Sequence, residues 1–157
     1  MLFRFDWKKF LGSLLIPMIT GGISAFIIRD STDIYPTLER PPLSPPSWLF
    51  PVVWTILYIL MGVSLYLIRI SNTTDEKRTA YILFAAQLIL NFIWSPLFFI
   101  AEKYFLSLLV LIALVICTAA MIAAFYKISK SAALLQIPYF LWLCFAGYLN
   151  FGIYILN

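Results

Sequence analysis

The chain has 157 residues, 63% of them hydrophobic and 11% charged, with a net charge of +4 and no histidine. Soluble domains average about 25% charged residues, so this composition excludes an ordinary water-soluble globule, and the length allows a single domain. The absence of imidazole excludes His-ligated haem, His–zinc sites and His proton relays. The positive charge does not imply nucleic acid, because the basic residues sit at the ends of apolar segments, where membrane topology puts them.

Five stretches carry no Asp, Glu, Lys or Arg: Phe10–Ile28, Pro41–Ile68, Thr79–Ala101, Tyr104–Tyr126 and Ser131–Asn157, each at least 19 residues long. A helix rises about 1.5 Å per residue and a bilayer core is about 30 Å thick, so roughly 20 apolar residues cross it. The expected fold is therefore an all-α integral membrane protein, one five-transmembrane-helix bundle over residues 1–157. Its spans are expected at about 8–28, 47–70, 78–100, 104–126 and 132–155, with an external proline-rich loop at 29–46. No span holds a cation or carboxylate, which argues against an ion-coupled pump.

With five spans, the N-terminus and the second and fourth connections share a side. That side holds Arg4, Lys8, Lys9, Arg69, Lys77, Arg78, Lys127 and Lys130, and the other holds Arg29, Arg40 and Lys103. This bias of eight to three puts the N-terminus in the cytoplasm and the C-terminus outside. A signal peptide also pairs basic residues with an apolar run. This run is long for one, and Gly21-Gly22-Ile23-Ser24-Ala25 is a poor cleavage site, so the segment is expected to remain as span one.

In chain order, Trp7 beside Lys8 and Lys9 reads as an interfacial anchor, Pro17 as a kink, and Gly21 with Ala25 as a close-packing face. The next connection contains Pro36, Pro41, Pro42, Pro45 and Pro46, so it cannot be helical throughout. It reads as either a stiff spacer or a lid over a pocket. Span two has Ser47 as N-cap, Pro51 in its early turns, and Trp54, Tyr58 and Met61 along one side. A polar connection, Ser71–Glu76, leads to span three, and the tight Ala101–Lys103 turn makes spans three and four antiparallel neighbours. Span four carries Ala119, Ala120, Ala123 and Ala124 as a close-packing face within the bundle or between subunits. Span five starts after Lys130 and carries Pro138 in its first half. Cys117 and Cys144 fall mid-span and read as small core residues.

Span three holds the informative pattern. Gln87, Asn91, Trp94, Ser95 and Phe98 share one helical face. An unpaired amide in lipid costs several kcal/mol, about 2–7, so this face must point into the protein. Span five repeats the theme with Tyr139, Trp142, Ala146 and Asn150. Trp54 and Trp94 each lie roughly 10 Å below the same end of the bundle, and Trp142 lies somewhat deeper. Belt anchoring suits Trp7 and Trp48 but not Trp142, and core packing suits any one of these indoles. Taken jointly, three indoles under the proline-rich loop are expected to wall a site for a flat apolar ligand. Amides of Gln87, Asn91 and Asn150 could orient its carbonyl or carboxylate. Without His or buried charge, a metal-free macrocycle fits better than ligated haem, and no metal site or tightly bound cofactor is expected.

The same residues carry a resemblance. Tyr35-Pro36-Thr37-Leu38-Glu39-Arg40-Pro41, the run from Pro45 through Trp48, Pro51 and Trp54 to Tyr58, Gln87 through Asn91 and Trp94-Ser95-Pro96 to Phe99, Pro138-Tyr139-Phe140-Leu141-Trp142 and Leu149-Asn150 resemble the translocator protein family, also called the tryptophan-rich sensory protein or peripheral benzodiazepine receptor family. The resemblance covers nearly the whole chain. It implies a five-helix bundle, usually a homodimer, with a pocket closed by the loop after span one. It implies binding of porphyrins and synthetic isoquinoline or benzodiazepine ligands, and in bacterial relatives tetrapyrrole handling and light-dependent breakdown of protoporphyrin. By motif position, Trp54 and Trp142 match the two pocket tryptophans tied to that reaction. Tyr35, Gln87, Asn91, Trp94 and Ala146 match lining positions. Ile34 and Leu43 stand where the family often has Trp, which could weaken the lid. No basic residue follows Lys130, so no specific sterol role is expected.

The expected ligand-contacting set is thus Tyr35, Trp54, Tyr58, Gln87, Asn91, Trp94, Tyr139, Trp142, Ala146 and Asn150, with Trp54 and Trp142 in a redox role. The expected ligand is protoporphyrin or a related tetrapyrrole, and the expected partners are membrane lipid and a second copy of the chain, with no nucleic acid. A bacterial cell membrane is the expected location. The function expected first is light-dependent oxidative breakdown of a bound porphyrin. A passive shuttle and a ligand-responsive sensor are the alternatives. No conventional catalytic constellation is present.

Overall fold

The computed structural model describes residues 5–73 and 76–157. Arg4, counted in the charge bias, and Thr74 and Asp75 of the polar connection lie outside the described residues. The elements are α1 (Trp7–Ile28), a 3-10 helix (Thr32–Thr37), α2 (Leu49–Ile70), α3 (Lys77–Phe99), α4 (Tyr104–Ile128), α5 (Lys130–Leu134) and α6 (Ile137–Leu156). Counting α5 and α6 as one stretch, five helices among the described residues are long and apolar enough to cross a membrane.

Burial runs inside out relative to a soluble protein. Leu11, Ile19, Phe26, Ile112 and Ile116 face outward, while Ser13, Ser64, Ser107, Gln87, Asn91, Gln136 and Asn150 are buried. Hydrocarbon makes apolar exposure free and polar exposure costly, so the polar side chains collect at the centre of the bundle. Trp7 and Trp48 are exposed at opposite ends, as belt anchors would be.

Two boundaries differ from expectation. Span two starts at Leu49, and Ser47 does not cap it. Instead the Leu49 amide donates to Pro46 O at 3.0 Å in a preceding turn, and Pro51 falls in the first helical turn, where its missing N–H is harmless. Span five is broken into α5 and α6 at Leu135 and Gln136. Pro138 cannot donate to Leu134 O, and its ring clashes with that carbonyl, so α5 closes with Leu135 N on Ser131 O and α6 opens at Ile137 with Pro138 in its first turn. Pro17 and Pro96, by contrast, lie inside unbroken helices.

Packing follows the small residues. A Cβ on Gly62 would fall 2.7 Å from Leu14 Cα, so glycine there lets α2 approach the α1 backbone. Gly21 is buried against Tyr58, which turns the close-packing face of α1 inward. On α4, Ala119, Ala120 and Ala123 face outward instead. Cys117 is half-buried with its thiol 3.6 Å from Leu83 O. Cys144 is exposed on the outer face, not in the core, because Leu143 and Ala146 take the inward side of α6.

Candidate functional site

The site is built at the end of the bundle where α1 stops and α2 begins. Beyond the 3-10 helix, the chain crosses this end as a strap and docks on α6. The Tyr148 hydroxyl donates to Pro42 O at 2.7 Å. Glu39 N donates to Asn157 Oδ1 at 3.1 Å, and Asn157 Nδ2 returns a bond to Glu39 O at 2.9 Å. Pro41 lies on Gly152, where an added Cβ would come within 2.5 Å of Pro41 Cγ. Beneath the strap, the buried Tyr35 donates its hydroxyl to Pro45 O at 3.3 Å and sets its ring against Phe50, centroids 5.0 Å apart. The loop is therefore a lid and not an idle spacer. Leu43 is 83% exposed in the left-handed region (φ 66°) and Ile34 is half-buried. Neither lines the space beneath.

The lid covers a cavity of about 460 Å³ between α1, α2 and α3, within the roughly 300–1,000 Å³ range of small-molecule sites. Ser24 and Ala25 face it from α1, Phe50, Trp54 and Tyr58 from α2, and Asn91, Trp94, Ser95 and Phe99 from α3, with Tyr35 above. Arg29 and Asp33 stand at its mouth. Aromatic rings are the main wall, and a few hydroxyls and one amide supply direction. That combination suits a flat apolar molecule with a few polar substituents.

Of the ten expected contact residues, Tyr35, Trp54, Tyr58, Asn91 and Trp94 line the cavity, and Gln87, Tyr139, Trp142, Ala146 and Asn150 do not. The picture of three indoles around one hollow needs correcting at Trp142. Its ring lies in a separate groove of about 400 Å³ on the outer face between α2 and α6, with Val53, Ile56 and Leu60. Phe50 stands between the two spaces, its ring centroid 5.9 Å from that of Trp142. The cause is rotational: α6 packs on α4 and stands behind the cavity, so its inward residues meet the core.

The displaced polar residues form the floor. The Tyr58 hydroxyl donates to Asn91 Oδ1 at 3.2 Å, Asn91 Nδ2 donates to the Tyr139 hydroxyl at 2.9 Å, and that hydroxyl donates to Gln87 Oε1 at 2.8 Å. This chain ties α2, α3 and α6 together. A second knot holds Asn150: its Oδ1 accepts from Trp94 Nε1 and Ser107 Oγ, each at 3.0 Å, and its Nδ2 donates to Tyr104 O at 2.9 Å. With both ends of the amide engaged, Asn150 fixes the Trp94 indole from behind and is not placed to meet a ligand. Met61 and Phe98, on the expected inward faces, are core residues.

Sequence reasoning missed Phe50, Phe99, Ser24, Arg29 and Asp33. Phe50 was findable, one helical turn before Trp54 on the same side. Ser24 lies on the same face of α1 as Gly21 and was equally accessible to that argument. Gln136, fully buried with neither amide atom partnered among the described residues, was also unforeseen; it sits at the α5–α6 break.

The TspO/MBR family model matches residues 13–156. The chain is 41% identical over 137 residues to the tryptophan-rich protein TspO of Chlorobaculum tepidum, covering 85% of each chain. It is 39% identical over 150 residues to that of Archaeoglobus fulgidus, covering 95% of this chain and 97% of the other. It is also 34% identical over 148 residues to the translocator protein of Bos taurus, covering 92% and 88%. A five-span bundle, a lidded aromatic cavity and matches of this length agree: the chain belongs to the TspO/MBR family of integral membrane proteins.

Proposed function

We propose that this protein binds protoporphyrin or a related tetrapyrrole beneath the lid and promotes its light-dependent oxidative breakdown. The observation that carries this reading is the wall itself: Trp54, Trp94, Phe50, Phe99 and Tyr35 surround a space of about 460 Å³ with the Tyr58–Asn91 pair at its floor. Stacking on such rings selects a flat conjugated ligand. Trp54 faces the ligand directly and is the nearer electron-exchange partner for a photoexcited ring, with dioxygen as oxidant. Trp142 stands one ring further off, behind Phe50. The test is illumination of purified protein with protoporphyrin. Trp54→Phe should slow bleaching more than Trp142→Phe does. Bleaching of the Trp54→Phe/Trp142→Phe double variant at the wild-type rate would remove the indoles from the chemistry.

A passive shuttle for the same ligands is the second reading, favoured by the outward groove that adjoins the cavity. Uptake into proteoliposomes driven by the ligand gradient alone would establish it. We further propose a bacterial membrane location, an N-terminus in the cytoplasm, and a homodimer formed through the outward alanines of α4. Cysteines placed at Ala120 and Ala123 should cross-link between copies.

A further inference from the structure

The seam between α2 and α6 differs from that between α1 and α2. Where α1 meets α2, glycine brings backbones together. Between α2 and α6 the closure is made by rings: Phe50 against Trp142 at 5.9 Å, and Trp54 against Tyr139 at 6.2 Å. Phe50 and Trp54 face the cavity, while Trp142 faces the groove on the other side. The groove is lined by apolar side chains, among them Val53, Ile56, Leu60, Leu141 and Phe145, and lies within two membrane-spanning segments, so it opens on hydrocarbon. The Trp142 indole N–H is buried there without a partner among the described residues, so no hydrogen bond holds that ring in place and the energetic resistance to its rotation is limited to packing.

We infer that the α2–α6 seam is the way in for the ligand: a flat apolar ring dissolved in the bilayer rests in the groove and passes to the cavity when the Phe50 and Trp142 rings swing apart. This rests on the reading that the cavity takes such a ligand. The physical reasons are three. A molecule of that class is concentrated in hydrocarbon, not in water. The aqueous mouth is edged by the charged Arg29 and Asp33, which an apolar ring must pass, and the strap next to it in the chain is pinned to α6 by Tyr148 and Asn157. Aromatic side chains turn on a shorter timescale than helices separate. The occupant of the groove is the ligand in transit. A phospholipid chain that merely fills it is the competing outcome.

The experiment follows protoporphyrin moving from phosphatidylcholine vesicles into the reconstituted full chain, read by the porphyrin's own absorbance. Ile56→Trp narrows the groove without touching the cavity, and Trp142→Ala removes one leaf of the seam. Ile56→Trp should slow association and dissociation together by about tenfold while the equilibrium constant stays within about twofold, the pattern of a changed barrier. Trp142→Ala should quicken both. Tyr148→Phe, which loosens the lid, should leave the association rate unchanged. Unchanged rates in Ile56→Trp, or faster association in Tyr148→Phe, would overturn the inference and place access at the lid. A chain that binds saturably but with rates indifferent to the groove refutes only the route. A wild-type chain with no saturable binding refutes the proposed function itself, and the route with it.

Discussion

The Tyr58 hydroxyl donates to Asn91 Oδ1 across the α2–α3 boundary at 3.2 Å, and through Asn91 the bond continues to Tyr139 and Gln87. One hydrogen-bonded line thus forms the cavity floor and locks three helices. Removing different members should cost different amounts. Tyr58→Phe strands one acceptor, whereas Tyr139→Phe strands both Asn91 Nδ2 and Gln87 Oε1. Interhelical bonds in membranes are worth about 0.5–1.5 kcal/mol each, so Tyr58→Phe should lose about that and Tyr139→Phe about twice as much. Thermal unfolding in detergent gives the order. Equal losses would mean the line is not continuous.

Gly21 sets how closely α1 can lie on the Tyr58 ring, because a Cβ there would collide with it. Gly21→Val should push the ring into the cavity and break its bond to Asn91. Overpacking of this kind costs about 1–3 kcal/mol. Protoporphyrin binding, read by tryptophan quenching, should weaken more than in Gly22→Val, since a Cβ at Gly22 meets nothing.

Lid docking depends on Pro41 seated over Gly152. Gly152→Val should lift the strap and expose Tyr35, which is now 4% accessible. Limited proteolysis within the segment Leu38–Trp48 should become faster, while the helices resist as before. An unchanged cleavage rate would show that the Asn157 and Tyr148 bonds hold the lid alone.

At the other end of α1, the Asp6 carboxylate accepts from Lys9 N at 3.1 Å and lies 3.5 Å from Lys9 Nζ. The backbone bond from Lys9 is the largest effect and holds this carboxyl below its ordinary range; desolvation opposes it, and the Lys9 charge adds a smaller lowering. A depressed folded-state value means the cap is fully effective above the ordinary carboxylate value and is lost as pH falls through the lowered one. The Lys9 amide resonance should therefore titrate with a midpoint below the ordinary aspartate value. In Asp6→Asn it should be flat over the same range.

How much of this was legible beforehand depended on how local the cause was. The inward face of α3 could be read from Gln87, Asn91 and Trp94 because helical spacing and the cost of an amide in hydrocarbon act within one helix. Pro138 was visible too, but whether it kinks or breaks span five depended on how Leu135 and Gln136 could be satisfied, and there the helix broke. Trp142 was misjudged for a different reason. Depth along a helix follows from counting residues, whereas azimuth does not.

The sequence by itself determined five crossings, the inward face of α3, and that aromatic and amide side chains gather toward one end of the bundle. It could do so because bilayer thickness and helical pitch are fixed lengths. Only the tertiary structure decided which inward residues meet empty space and which meet each other. The rotation of α6 is set by its packing on α4, and the lid is pinned by Glu39 and Asn157, partners 118 residues apart in the chain. Contacts between such distant residues depend on the whole bundle having formed, so no stretch of the chain encodes them alone.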